Sequence, residues 1–367
     1  MKHTETHAYR LTSSCIWNSF RNSHKKHIII TGNRGSGKTT LLNKLFPTIL
    51  PGITTWAVPQ IGVYLKDNTT NETSQVGIYN PALKGFENKM ELIGNGFTTL
   101  GMQALSDALE SSASWISIDE IGYLESLCPE YLNMISKLME HKHLLAVVRK
   151  QNLSHLNHLC QREDVFLIDL DAPFQNIGCV IMASGLGKRF GENKLIAEFH
   201  HKPLINYILD ATDDIFSKRV VVTRHEAIAE ICKEKNVEVV LHNMPHRSDT
   251  IRLGLERLLD TSHCMFCTAD QPLLQQDTIA ALALLAANTT SNIIRPIFED
   301  TPGSPVIFPQ STYVELLQLP EGNGGGYVIK QYPDLLRYLL VNDRNELEDI
   351  DTPEDFLKLQ QIYENRI

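Results

Sequence analysis

The stretch HIIITGNRGSGKTTLL, residues 27–42, decides the fold of the first half of the chain. HIIIT is a short, β-branched, apolar run, which is how a strand buried on both faces reads. GNRGSGKT, residues 32–39, has the spacing G-x-x-x-x-G-K-[ST]. From Lys38 to Leu45 apolar residues recur at helical spacing, and Pro47 stops the run. Strand, glycine-rich loop and helix in that order form the context in which such a loop cradles phosphates. Gly32, Gly35 and Gly37 let backbone N–H groups turn toward an anion. The helix start adds partial positive charge. Lys38 is placed to reach the β- and γ-phosphates of a nucleotide, and the Thr39 hydroxyl to hold Mg²⁺.

Working outward, the strand–helix alternation continues. SWISIDE, HLLAVV and VFLIDL read as buried strands, with helical stretches at residues 101–109 and 130–140. ISIDE ends in two carboxylates. Asp119 is placed to bind Mg²⁺ through water, and Glu120 to orient or deprotonate an attacking water. DAPFQN, residues 171–176, is polar, contains proline and precedes a fresh apolar strand, so it reads as a boundary. Beyond it, IGCVIMAS, RVVVT, VEVVLH, HCMFCTAD and NIIRPIF are strand candidates. PLINYILDAT, EAIAEICKEK, DTIRLGLERLL and DTIAALALLAA are helix candidates, and Thr352-Pro353 opens a last amphipathic helix. This alternation predicts an α/β chain of mostly parallel sheets with helices on both faces. The expected division is a polar, irregular or helical lead-in over 1–26, one domain over 27–171 and a second over 177–367.

Composition agrees with two domains. The chain has 367 residues, against roughly 150 per domain. Hydrophobic residues are 43% and charged residues 21%, enough apolar material for a core in each half. Lys plus Arg is 34 and Asp plus Glu 43, a formal net charge of -9, which argues against a general nucleic-acid-coating surface. No apolar run reaches the roughly 18 residues of a membrane span, and the first 26 residues lack the apolar core of a secretory signal. The seven scattered cysteines fit a reducing, cytoplasmic setting. Cys264 and Cys267 lie in an apolar run with no second Cys or His pair nearby, and the 14 histidines show no metal spacing, so neither a buried-strand pair nor scattered imidazoles predict zinc.

A second phosphate loop follows the strand at 177. IMASGLGKRFGENK, residues 181–194, is rich in small residues and carries spaced cations, as A-S-G-x-x-x-R-x-G-x-x-K. Its backbone N–H groups can wrap a triphosphate while Arg189 and Lys194 give charge-assisted contacts.

Two resemblances sharpen these readings. GNRGSGKTTLL followed by DEIGYLE, residues 119–125, resembles the small P-loop nucleoside-triphosphatase family marked by D-E-I-G, an apolar residue and Glu. The resemblance covers about residues 27–171 and implies hydrolysis of nucleoside triphosphates. It also implies a cation after the next strand, here Arg149 or Lys150, as an internal arginine finger; a solvated basic loop is the alternative. The second half, from about 177 onward, resembles the nucleotidyltransferases of molybdenum cofactor maturation, above all the cytidylyltransferase branch. The series KLIAEFHHKPLI, CTADQPLL, PGSPVIFP and DIDTPEDF carries that resemblance. It implies CMP transfer from CTP to molybdopterin with pyrophosphate release.

By that resemblance Ala183, Ser184, Gly185, Gly187, Arg189 and Lys194 form the nucleotide loop, with Lys194 and Arg189 catalytic beside Glu120 of the first half. Asp270 and Asp351 bind Mg²⁺, with Asp349 a neighbour, and Gly303 and Pro305 belong to the acceptor side. There are departures. Phe190 stands in the R-x-G triplet where the family usually has Met. Asn323 in EGNGGGYVIKQ replaces an acceptor-side Asp, and the glycine run 322–326 reads as a lid or a turn. Ser248 or Asp249 is expected to cap the helix after HNMPHR, and Arg247 to reach phosphate or base. The combined expectation is two three-layer α/β/α domains, a P-loop NTPase domain followed by a Rossmann-like nucleotidyltransferase domain. Expected partners are nucleoside triphosphates, a molybdopterin-type acceptor and a molybdenum hydroxylase apoenzyme, without nucleic acid or membrane. Alternatives are a sugar-phosphate or isoprenoid-precursor acceptor, and a nucleotide-gated scaffold.

Overall fold

The computed structural model describes residues 11–83, 89–93, 95–174, 176–185, 190 and 193–365. They form two compact units. One spans His24–Pro173; the other joins the helix Ser13–Ser23 to the chain from Phe174 onward.

The first unit is an eight-stranded mixed sheet. From one edge the strands run Met90–Leu92, Thr73–Tyr79, Gly62–Asp67, Gly52–Val58, Trp115–Ile121, His143–Val148, His27–Thr31 and Val165–Asp169. The last five are parallel to one another. The other three add antiparallel. His27–Thr31 is buried at every residue, which explains its unbroken apolar run. The added antiparallel strands carry sequences such as TSQVGIY, partly exposed and without a continuous apolar signal. Parallel strands are the majority, as expected, and three antiparallel strands extend one edge.

The second unit is also a mixed sheet of eight strands. Glu238–Leu241, Lys218–Thr223, Ile177–Ala183 and His263–Thr268 are parallel. Val306–Pro309 and Ile293–Phe298 follow antiparallel, and Thr301–Pro302 and Leu336–Leu340 both pair with Ile293–Phe298. Cys264 and Cys267 are wholly buried in the central strand. Thr352 caps the helix Pro353–Glu364, its hydroxyl accepting from Asp355 N at 3.1 Å.

The polar lead-in proves to be part of this unit. Helix Ser13–Ser23 packs on helix Gln276–Ala287, which is buried at every residue from Thr278 to Ala286, and on strand Leu336–Leu340. Cys15, Ile16, Ser19 and Phe20 form its inward face. Ser19 hides in this face because its hydroxyl is satisfied: Oγ lies 2.9 Å from Cys15 O and 2.8 Å from Ala281 O. A helix all of whose faces are apolar must be covered on all of them. That need, invisible in the lead-in's own composition, places the segment.

Candidate functional sites

In the first unit the phosphate loop joins strand His27–Thr31 to helix Lys38–Leu45. Gly35 and Gly37 have φ of 83° and 90°, which a side chain would strain. Lys38 Nζ donates to Gly32 O at 2.9 Å and Asn33 O at 2.8 Å, which holds it over its own loop. Thr39 Oγ1 donates to Asp119 Oδ1 at 3.1 Å. Burial pushes the Asp119 carboxyl up to about 6. The structure thus brings the predicted lysine, threonine and aspartate together.

Glu120 sits in the left-handed region, φ 91°, and its Oε1 accepts from Arg149 Nε. Thr55 Oγ1 donates to the carbonyls of both Asp119 and Glu120 at 3.1 Å. The glycine of D-E-I-G is needed because a Cβ on Gly122 would lie 2.9 Å from Arg149 Cδ. The final Glu of the motif, Glu125, is buried and accepts from Gly122 N at 2.8 Å; burial pushes its carboxyl up to about 7. Lys150 is tied to Asp169 at 2.7 Å and Asp171 at 2.9 Å, and Asp171 in turn accepts from Asn33 N. Of the two cations expected here, Arg149 holds the Walker-type glutamate and Lys150 braces the loop. The phosphate loop, Glu120 and Arg149 share a cavity of about 920 Å³.

In the second unit a cavity of about 840 Å³ opens at the carboxyl ends of Ile177–Ala183 and His263–Thr268. Ser184, Gly185, Lys194, Asp270 and Asp351 line it. Ala183 ends the strand, and its carbonyl accepts from Thr223 Oγ1 at 3.0 Å. Gly187 and Arg189 lie outside the described residues. Phe190 packs on Phe356 with ring centroids 5.6 Å apart, so an aromatic fills the departure in the R-x-G triplet. Lys194 departs from a free phosphate contact. Its Nζ donates to Asp270 Oδ2 at 2.7 Å and Asp351 Oδ1 at 3.2 Å, and to Ile350 O.

Ser184 is engaged as well. Its Oγ donates to Val222 O at 3.0 Å and lies 2.8 Å from His242 Nε2. With that hydroxyl proton used, Nε2 is the donor, and His242 Nδ1 is left to accept from Met244 N at 3.2 Å. Burial lowers the His242 pKa, with Arg224 adding to the effect, which favours this neutral ring. On the other side of the loop His225 Nε2 donates to Gly185 O at 2.9 Å.

On the acceptor side Arg295 donates twice to Gly303 O, at 3.0 and 2.8 Å, and the Ser304–Pro305 peptide is cis. Arg247 lines the cavity and passes so close to Gly324 that a Cβ there would meet its Nε at 3.2 Å. The helix Arg247–Leu255 is capped differently from the expectation. His246 is its N-cap, and Asp249 reaches back to accept from His246 N at 3.1 Å. Arg224, Arg295 and His242 were not singled out by sequence, since each is a lone residue on its own strand end or loop with no motif spacing.

Fit to a divalent cation can be judged from the acids. Among the described residues, Asp270, Asp349 and Asp351 interact with the Lys194 ammonium, and Asp270 Oδ1 is buried without a hydrogen-bond partner. Burial and the two neighbouring carboxylates push Asp349 up to about 6. Among the described residues no three ligand-type side chains converge as a ready cage. Mg²⁺ is commonly held by one or two carboxylates plus substrate phosphates, and this arrangement suits that mode.

With the geometry in place, the class is defined: a P-loop NTPase domain followed by a nucleotidyltransferase domain. Residues 27–177 match the NTPase family and residues 179–335 the MobA-like NTP transferase domain. The chain is 22% identical over 201 residues to the molybdenum cofactor cytidylyltransferase of Escherichia coli strain K12, covering 51% of this chain and 97% of that protein. It is 31% identical over 107 residues to a probable molybdenum cofactor guanylyltransferase of Bacillus licheniformis, 28% of this chain and 53% of that protein. The first half is 24% identical over 152 residues to nucleoside-triphosphatase THEP1 of Archaeoglobus fulgidus, 39% of this chain and 88% of that protein. Among the described residues no helix is long and apolar enough to cross a membrane.

Proposed function

We propose that the second unit transfers CMP from CTP to the phosphate of a molybdopterin-type acceptor, releasing pyrophosphate, and that the first unit hydrolyses nucleoside triphosphates. The pair would serve cofactor maturation for a molybdenum hydroxylase apoenzyme. The observation that carries this reading is Lys194, fixed between Asp270 and Asp351 in a cavity with an apolar wall of Ile251, Phe266, Val306, Phe308, Leu316 and Ile329. A flat heteroaromatic phosphate would bury its ring against such a wall. The cytidylyltransferase relative supports the choice of CTP.

In the transfer an acceptor phosphate oxygen attacks the α-phosphorus, the α–β bridging bond breaks, and pyrophosphate leaves with the bonding pair. No protein nucleophile is needed, so the chain's task is positioning and charge neutralisation. Backbone N–H groups around Ser184 and Gly185 meet the nucleotide, and Lys194 offsets charge beside the reacting phosphates. Asp270 and Asp351 would hold Mg²⁺, which when bound neutralises phosphate charge and steadies the leaving pyrophosphate. In the first unit Lys38 swings from its loop carbonyls to the phosphates, Thr39 and Asp119 would hold Mg²⁺, and Glu120 directs the attacking water.

The test is pyrophosphate release from CTP with molybdopterin, a hexose 1-phosphate or methylerythritol phosphate as acceptor. Release with molybdopterin alone supports the reading; release with either of the others replaces the acceptor.

A further inference from the structure

The carboxyl edge of the first unit's sheet has an order that hydrolysis by water does not call for. Along it stand the phosphate loop on His27–Thr31, then Arg149 just beyond His143–Val148, then Glu120 on Trp115–Ile121, then Trp56 on Gly52–Val58. Neighbouring strands lie about 4.8 Å apart, so the strand of Trp56 is roughly 14 Å from the strand of the phosphate loop. Trp56, next to Thr55 on its strand, lines the same cavity as Glu120. The Thr39–Asp119 hydrogen bond marks where β- and γ-phosphates meet their metal. The γ-phosphate therefore faces Glu120, and the base, at the far end of the triphosphate, points away from Trp56.

The same cavity is also lined by Trp56, Ala57, Pro59, Val63, Tyr79 and Met90. Trp56 is 38% exposed and is backed by Tyr64, the two rings stacked at 20° with centroids 5.7 Å apart. A half-exposed aromatic ring thus lines the cavity that Glu120 shares with the phosphate loop, where attack by water alone would need no apolar surface.

We propose that this wall binds a planar aromatic alcohol and that the first unit phosphorylates it. The inference rests on reading Glu120 as the base of this site. The alcohol oxygen attacks the γ-phosphorus, the bond between it and the β–γ bridging oxygen breaks, and the nucleoside diphosphate leaves with the pair. Glu120 takes the hydroxyl proton. The product is an aromatic phosphomonoester, the class of acceptor that the second unit needs. Water attack is then the side reaction of an empty wall.

The experiment uses the full chain with γ-labelled ATP, Mg²⁺ and either benzyl alcohol or 6-hydroxymethylpterin. The readout is the ratio of labelled ester to labelled inorganic phosphate, which is internally corrected for any unfolded fraction. The expected result is ester from at least one alcohol, a ratio lowered about tenfold by Trp56→Ala, as loss of one stacking platform implies, and restored by Trp56→Phe. No ester from either alcohol, or a ratio indifferent to Trp56→Ala, overturns the proposal. So does a Trp56→Ala variant that loses affinity for ATP but not for tripolyphosphate, since the wall would then hold the base. Glu120→Gln separates the two readings. Undiminished phosphate release in that variant removes the base assignment, whereas a normal loss with no ester in wild type removes the acceptor site alone.

Discussion

Lys194 Nζ stands 2.7 Å from Asp270 Oδ2, with only about a tenth of its own side chain exposed. A cation held this firmly among acids organises the site before any nucleotide arrives. Lys194→Met removes the ammonium that Asp270 and Asp351 hold and that offsets the charge of Asp349. Transfer should fall on the order of 10²-fold, the scale of losing one preorganised charge-stabilising donor. Pyrophosphate release measured on protein whose folding is verified by circular dichroism checks this.

Asp270→Asn is expected to lower transfer with a modest effect on folding. Breaking a buried pair can cost about 3–5 kcal/mol when the partner is left alone. Here Asp351 and the Ile350 carbonyl still hold the Lys194 ammonium, so the cost should lie below that range. Comparing thermal midpoints with transfer rates separates the two effects. A large midpoint drop with unchanged transfer by the folded fraction would defeat the metal-binding role.

Ser184 has a β-carbon that would crowd guanine and a hydroxyl within the nucleotide loop. The hydroxyl is already committed to Val222 and His242. Any base selection by this residue should therefore act through loop position and the β-carbon. CTP is still expected over GTP by about tenfold in kcat/KM, one decade per 1.4 kcal/mol. Ser184→Ala should keep that preference, and Ser184→Gly should narrow it. Competition between the two nucleotides measures both.

The two chemistries should be separable. Lys38→Ala removes the cation nearest the β- and γ-phosphates of the first site, and NTP hydrolysis should fall about 10²-fold or more. CMP transfer to molybdopterin supplied from outside should survive. Its loss in a folded variant would mean that the two activities are coupled.

Glu125 gives a pH signature. Its folded-state pKa is raised from the ordinary 4.5 to about 7, so the unfolded chain ionises first as pH rises. This group's contribution to stability is greatest below about 4.5, declines through the interval, and reaches its full penalty above about 7. Glu125→Gln can still accept from Gly122 N without carrying a charge. Its thermal midpoint should fall less between pH 5 and pH 8, on the order of those values, than that of the wild type. Equal falls in both proteins would show that Glu125 does not titrate in this window.

The parts of the fold that were legible were the ones with a local signature. Strand His27–Thr31 and helix Lys38–Leu45 flank a loop whose spacing is itself the signal. Asp119 and Asp270 are legible because each stands at or just past the apolar run of a buried strand, Trp115–Ile121 and His263–Thr268. Helix Ser13–Ser23 was read as lead-in because half its inward face is small or polar, and only the fully apolar helix it covers explains its place. The antiparallel strands of the first unit bury one face and alternate too weakly to register. Lys194 was legible as a residue of interest, but its ion pairs span more than 70 positions of chain, and no local pattern encodes such a contact.

The most direct measurement is the fate of α-labelled CTP incubated with the full chain, Mg²⁺ and molybdopterin. Label appearing on the pterin phosphate, matched mole for mole by unlabelled pyrophosphate, is the predicted result. Label recovered only as CTP, CDP or free CMP, with no molybdopterin-dependent pyrophosphate, would contradict it.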